Sequence, residues 1–241
     1  MGKTYAYSVL QDNGELVLFR SEDRLRADGT RAIVRDVDGN RYSGTVFGDF
    51  EHGVGSPTMT SRGDFAHLNI QSVRIADGQR ITPESCKGWF WMCENMTECD
   101  LTGLDLGLCS DVSRMFCNSG IERLTLPHST LSTSRKGHPV VDAHDMLRGC
   151  SSLVSADISA IDFSRCHDMS GMLRGCRNLK EIKGLSNTSP LPSTDTTDIT
   201  KDCGKLNPDC LPSFMQWVAD PVIDDPALKN GLLSYNFPQF R

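Results

Sequence analysis

The chain has 241 residues, 38% of them hydrophobic and 23% charged, with a formal net charge of −6 and a pI near 5.5. That balance is globular and long enough for one large domain or two small ones, and the acidic excess argues against a broad phosphate-binding face, hence against direct nucleic-acid binding. No apolar run approaches the roughly 18 residues that span a bilayer, and Met1-Gly2-Lys3-Thr4-Tyr5 has no signal-peptide core.

As written, the protein is therefore expected in the cytoplasm, and at the cell surface or secreted only if a leader has been removed. Residues 1–88 read as a β-rich N-terminal capping region. "TYAYSVL" and "ELVLFR" alternate around Asp12-Asn13-Gly14, a hairpin turn signal. "RAIVRDV" and "RYSGTVF" flank a second one at Asp38-Gly39-Asn40, so antiparallel β is expected. "HLNIQSVRI" then leads through Asp77-Gly78 to Trp89 and Trp91, at the joint with the next region.

Residues 89–185 repeat. Aligned on Trp89, Met115, Met146 and Met172, the units are spaced 26, 31 and 26 residues apart. The fifth slot reads Cys93, Ser119, Cys150 and Cys176, and the eighth is apolar, as at Met96, Leu153 and Leu179. Asp100-Leu101 matches Asp157-Ile158, Cys109 matches Cys166, and Asp111-Val112-Ser113 matches Asp168-Met169-Ser170. Cys99/Leu101, Leu124/Leu126 and Ala156/Ile158 each flank one polar residue, as a short half-buried strand requires. The Met-Leu-x-x-Cys-x-x-Leu stretch carries apolar residues at helical spacing. A strand and a short helical turn per unit cannot bury their apolar sides alone, so the units are expected to stack. In-phase cysteines then read as small apolar filler inside that stack, since free cysteine is among the most often buried residues.

"MLRGCSSLVSADISAIDFSRCHDMSGMLRGCRNLKEIKGL" resembles the BspA-like leucine-rich repeat, and "YAYSVLQDNGELVLFR" with "YSGTVFGDFE" resembles the β-rich lead-in such bacterial proteins carry. The match covers 89–185, more loosely 1–88, and departs at Trp89 and at an insertion over 127–145. The resemblance implies a solenoid used for protein binding or adhesion.

Residues 186–209, rich in Ser, Thr, Asp and Pro, read as a linker or long loop. Residues 210–241 read as a C-terminal helical cap, with Phe214, Trp217 and Val218 on one helix face, then Pro226 at a helix start and Gly231 at its stop. The fold expected is thus α+β: a short leucine-rich-repeat solenoid of about four units, with an N-terminal antiparallel β cap and a C-terminal helical cap.

Chemistry finds little support in the spacing. Zinc sites pair ligands two to four residues apart, whereas the cysteines from Cys86 to Cys117 are 7, 6, 10 and 8 apart and His138 and His144 are six apart. Cys166-His167 are adjacent, so their side chains diverge, and His144-Asp145 could orient only a distant thiol. Asp100, Asp105, Asp157 and Asp162 recur in phase, which fits turn-capping aspartates better than a glycosidase pair. Arg62-Gly63-Asp64 is a tripeptide too short to carry weight, and Asn95-Met96-Thr97 falls on a core slot. No nucleotide-binding glycine motif is present. Catalytic residues, metal ligands and cofactors are accordingly not assigned.

The expected function is non-enzymatic recognition of a protein partner. Side chains alternate across a strand, so Glu98, Asp100, Thr102, Arg123, Thr125, Ser155, Asp157, Ser159, Glu181 and Lys183 should face outward as one partner-binding row. Acidic at its N-terminal end, the row suits a partner with a basic patch. Alternatives are an adhesin in host–microbe contact, or an intracellular mobile-element antagonist that occupies a nucleic-acid-binding protein.

Overall fold

The computed structural model describes residues 4–48, 69–127, 141–186 and 191–212. Among them the strands are β1 Tyr5–Gln11, β2 Glu15–Ser21, β3 Asp28–Arg35, β4 Arg41–Phe47, β5 Ser72–Ile75, β6 Glu98–Asp100, β7 Arg123–Thr125, β8 Ser155–Asp157 and β9 Glu181–Lys183. One sheet runs β3-β4-β1-β2-β5-β6 and a second runs β7-β8-β9.

Turn chemistry places both hairpins. Gly14 at φ 82° closes β1–β2, with Asn13 Oδ1 accepting the Glu15 N–H at 3.0 Å. Gly39 at φ 85° closes β3–β4, where the Asp36 carboxylate accepts from the N–H groups of Asp38 and Asn40 and from the Tyr42 hydroxyl. Both glycines take the left-handed conformation that side chains resist. Between the turns the strands do not alternate simply. Ala6, Tyr7, Ser8 and Val9 are all buried, as are Leu16, Val17, Leu18 and Phe19. The sheet has two covered faces. Ala6, Leu16, Leu18 and Phe47 join the main core, whereas Tyr7, Val9, Val17, Phe19, Val34 and Tyr42 form a second cluster. The β3–β4 hairpin folds back over β2 to close it, the Val37 N–H reaching Arg20 O at 2.9 Å and Ser21 Oγ reaching Arg35 O at 2.8 Å.

From β5 onward the pairing turns parallel. Glu15 lies opposite Ser72, and Ser72 opposite Glu98, so β6 of the first repeat belongs to the N-terminal sheet. Beyond it, units stack on one another. Ser85, Asp111, Asp142, Asp168 and Asp195 are linked by successive parallel bridges. One continuous core then runs from Leu16 through Phe90, Phe116, Leu147 and Leu173 to Leu211.

The expected α+β solenoid, with an N-terminal antiparallel β cap and a C-terminal helical cap, is corrected by these observations. No α-helix occurs among the described residues; the regular helical pieces are two single 3-10 turns, Leu106–Leu108 and Pro208–Cys210. The strands do not close into one parallel ladder, since β6 and β7 belong to different sheets. The N-terminal region is a mixed sheet continuous with the first repeat, not a separate antiparallel cap. The expected C-terminal helix lies over residues outside those described.

The Met-x-x-Cys stretches fail to become helices because their donors divide between two directions. Met115 N–H bonds Val112 O and Cys117 N–H bonds Arg114 O, three residues back. The intervening Phe116 and Asn118 N–H groups instead reach Met146 O and Arg148 O of the next unit. The unit beginning at Ala143 does the same, with Leu147 and Gly149 donating to Met172 O and Arg174 O. An α-helix needs every interior N–H to reach back four residues. Alternate donation across the stack leaves tight turns in its place. Two left-handed positions per unit accommodate them: Gly88, Arg114, Asp145, Gly171 and Asp198 in one row, Met92, Asn118, Gly149, Gly175 and Asp202 in the other.

Residues 191–212, whose composition reads as linker, carry a fifth copy of this pattern. Met169, Gly171, Leu173 and Gly175 donate to Asp195 O, Thr197 O, Ile199 O and Lys201 O. No helix among the described residues is long and apolar enough to cross a membrane.

Candidate functional site

The outward strand face forms because three-residue strands alternate. Leu124, Ala156 and Ile182 point into the core while their neighbours point out. Parallel register aligns Arg123, Ser155 and Glu181 in one row and Thr125, Asp157 and Lys183 in a second. Glu98, Asp100, Thr102 and Ser159 are exposed too, and none of the ten residues is buried. They are not one row, however. Glu98 and Asp100 sit opposite Ser72 and Arg74 in the other sheet. Where the two sheets part, a cavity of about 370 Å³ has Arg74, Glu98, Asp100 and Arg123 in its wall. Arg74 is held there by Glu15 at 2.9 Å, so basic groups temper the acidic end. Asp100 and Asp157 also work locally, Oδ1 of each accepting the N–H of Thr102 and Ser159 at 2.9 and 3.1 Å. Among the in-phase carboxylates, Asp162 likewise caps Ser164, and Asp105 is buried with its Oδ1 on the Gly107 N–H.

The ten cysteines are free thiols, eight of them buried. Their slot is more than filler. Cys150, Cys176 and Cys203 donate to Phe116 O, Leu147 O and Leu173 O of the preceding unit, at 3.0, 3.0 and 2.9 Å. Ser119, at the same slot, sits 3.5 Å from Cys150 Sγ. Burial pushes Cys93 and Cys150 up to about 12 and Cys166 up to about 11. They stay protonated at neutral pH, unlike a reactive thiolate. Cys166 donates to Asp168 O at 3.2 Å, while the exposed His167 is tied through its N–H to Val141 O.

The bridged aspartates form a row of their own. Oδ1 of Asp111, Asp142, Asp168 and Asp195 accepts the N–H two residues on, from Ser113, His144, Ser170 and Thr197, at 2.8–3.0 Å. At one step the following residue is an imidazole. His144 Nδ1 lies 2.7 Å from Asp142 Oδ1, and one ligand atom from each of Asp142, His144 and Asp168 falls within 4.8 Å of the others. This is the group with metal-ligating chemistry among the described residues. Sequence spacing missed it because Asp168 comes from the neighbouring unit. The Asp111/Asp168 phase match carried the signal, had it been extended across the insertion to Asp142 and on to Asp195. His138, Arg62-Gly63-Asp64 and the tail aromatics lie outside the described residues. Asn95 is exposed and its Nδ2 donates to Asn69 Oδ1.

No family model, curated protein or solved structure matches the chain.

Proposed function

We propose that this chain is a non-enzymatic recognition module that holds a protein partner against the outward face of β7, β8 and β9, extended across the sheet break by Glu98, Asp100 and Thr102. The observation that supports it is the register of two polar rows on a stacked, fully packed base. Such a base holds side chains at fixed spacing, so little ordering cost accompanies binding. Four carboxylates (Glu98, Asp100, Asp157, Glu181) stand against two cations (Arg123, Lys183), which favours a partner with a basic patch. Association should then weaken as salt rises.

The test compares partner retention by immobilised wild type with two variants. One combines Asp157→Asn, Glu181→Gln and Lys183→Ser on the face, Asn keeping the turn acceptor at 157. The other carries Asp162→Asn and Arg165→Ser away from it. A partner kept by the second variant and lost by the first supports the reading. Equal retention by both rejects this face.

A further inference from the structure

We propose that Asp142, His144 and Asp168 form a binding site for one divalent transition-metal ion of the zinc class. The fold builds the site from two units. Asp142 and Asp168 occupy bridged positions, so their backbones stand one strand spacing apart, about 4.8 Å. Each carboxylate is fixed by an N–H to Oδ1 from the residue two further on, which leaves Oδ2 as a ligand. The Asp142 turn carries His144 on the same side, its Nδ1 in a 2.7 Å hydrogen bond with Asp142 Oδ1 that a metal would replace, the ring proton then sitting on Nε2. Ligand atoms of one metal with bonds of about 2.0–2.2 Å lie roughly 3 Å apart. The observed spread, within 4.8 Å, is wider than that, so binding would draw the three side chains together.

The other steps of the row lack this chemistry. The equivalent position after each bridged residue is Lys87, Ser113, Ser170 or Thr197, and Lys87 sets a cation 3.8 Å from Asp111. Among the described residues an imidazole stands with two carboxylates once. Side-chain exposures of 20% for His144 and 31% for Asp142 remove part of the water while leaving coordination positions open for water molecules. One nitrogen and two oxygens suit Zn2+ or Co2+ better than Ca2+ or Mg2+, which take oxygen ligands. The metal would clamp two units across the step from Asp142 to Asp168.

The test titrates the full-length chain with Co2+ alone, following visible absorption, and with Zn2+ alone by calorimetry. Wild type should bind one ion with d–d absorption and no sulfur-to-cobalt charge transfer, and Zn2+ should displace the cobalt. His144→Gln and Asp168→Asn should each weaken binding at least about tenfold, whereas His167→Ala, on the exposed neighbouring histidine, should not. Asn keeps the turn acceptor, and circular dichroism of each variant checks the fold. Co2+ should also broaden the His144 ring resonances in wild type, a readout that needs no variant. Absence of binding, equal binding by the His144→Gln chain, a sulfur charge-transfer band, or unaffected His144 resonances would each overturn the proposal.

Discussion

The N-terminal sheet and the stacked units solve the same problem in opposite ways. In the sheet, β1 to β4 have seven or eight residues and pair over long registers, such as Tyr5–Leu10 with Leu16–Ser21, and both faces are covered. In the stack the strands have three residues, and turn N–H groups cross to the next unit at alternate positions. The sheet's order is written in each strand, whereas the stack's order is written in the repetition of slots. A broken hydrogen bond should therefore stay local in the first and be felt across two units in the second, whereas core damage should reach both, since both share one core.

The largest expected contrast is with pH. Every cysteine lies at position 86 or beyond, so the buried thiols belong to the stack and the residues after it. A thiol held at about 12 when folded, against 9.0 normally, favours the folded chain only while it stays protonated. Stability is thus fully present below pH 9 and falls as pH rises from 9 towards 12, because the unfolded chain releases protons first. Each such thiol removes up to about 1.4 kcal/mol of stability per pH unit between 9 and its folded value, about 12 for Cys93 and Cys150 and about 11 for Cys117 and Cys166. Urea midpoints measured under reductant should drop sharply between pH 8 and 10. In the sheet the matching group is Tyr42, which burial and the Asp36 hydrogen bond push up to about 12. Equal midpoints at both pH values would mean the thiols are not desolvated as described.

Core truncation asks whether the two regions are one cooperative unit. Phe116 is fully buried and its ring centroid lies 5.2 Å from that of Phe90. Phe116→Ala should cost about 3–5 kcal/mol. Since the core is continuous, hydrogen-exchange protection should fall in β1 and β2 as well as in the stack. Protection retained in β1 and β2 alone would show that the sheet folds independently.

Legibility in the sequence divides along the same line. Gly14 and Gly39 act through neighbouring residues, so a local turn signal sufficed. The cysteine slot was legible because phase survives stacking, but its hydrogen bond to the preceding unit was not, since Phe116 O is 34 residues from Cys150. Helical spacing misled for a related reason. Apolar residues at Met146, Leu147, Cys150 and Leu153 suit a helix and a stacked turn equally, and the deciding acceptors, Met172 O and Arg174 O, are in another unit. The fifth copy hid in Ser/Thr/Pro-rich composition, and Asp142 hid behind a spacing of 31.

Two glycines sharpen the comparison. Gly39, in a hairpin turn at φ 85°, has open space where a Cβ would stand. Gly39→Ala should cost about 1 kcal/mol, the backbone penalty alone. Gly184, at φ 101°, would place a Cβ 2.5 Å from Ser159 N and 2.6 Å from its Cα, both backbone of the preceding unit. Gly184→Ala should cost about 2–4 kcal/mol, adding displacement of packed chain to that penalty. Equal losses in denaturant titrations would show that neighbour contact adds nothing in the stack.

The smallest effect tests whether the stack carries backbone strain of its own. Of the five residues in the second left-handed row, Asn118, Gly149, Gly175 and Asp202 are types that tolerate positive φ, and Met92 at φ 61° is not. Replacing it by Asn, the residue the next unit uses there, should stabilise the chain by about 0.5 kcal/mol. Relief of a roughly 1 kcal/mol conformational penalty is partly offset by lost apolar cover from a half-buried side chain. Asn118 Nδ2 now approaches Met92 Sδ at 3.4 Å, and an amide at 92 could replace that weak contact with a stronger one. A fall in the urea midpoint of Met92→Asn would mean that the methionine is held for its packing at the sheet–stack joint, and that the left-handed row is set by the crossing hydrogen bonds whatever side chain occupies it.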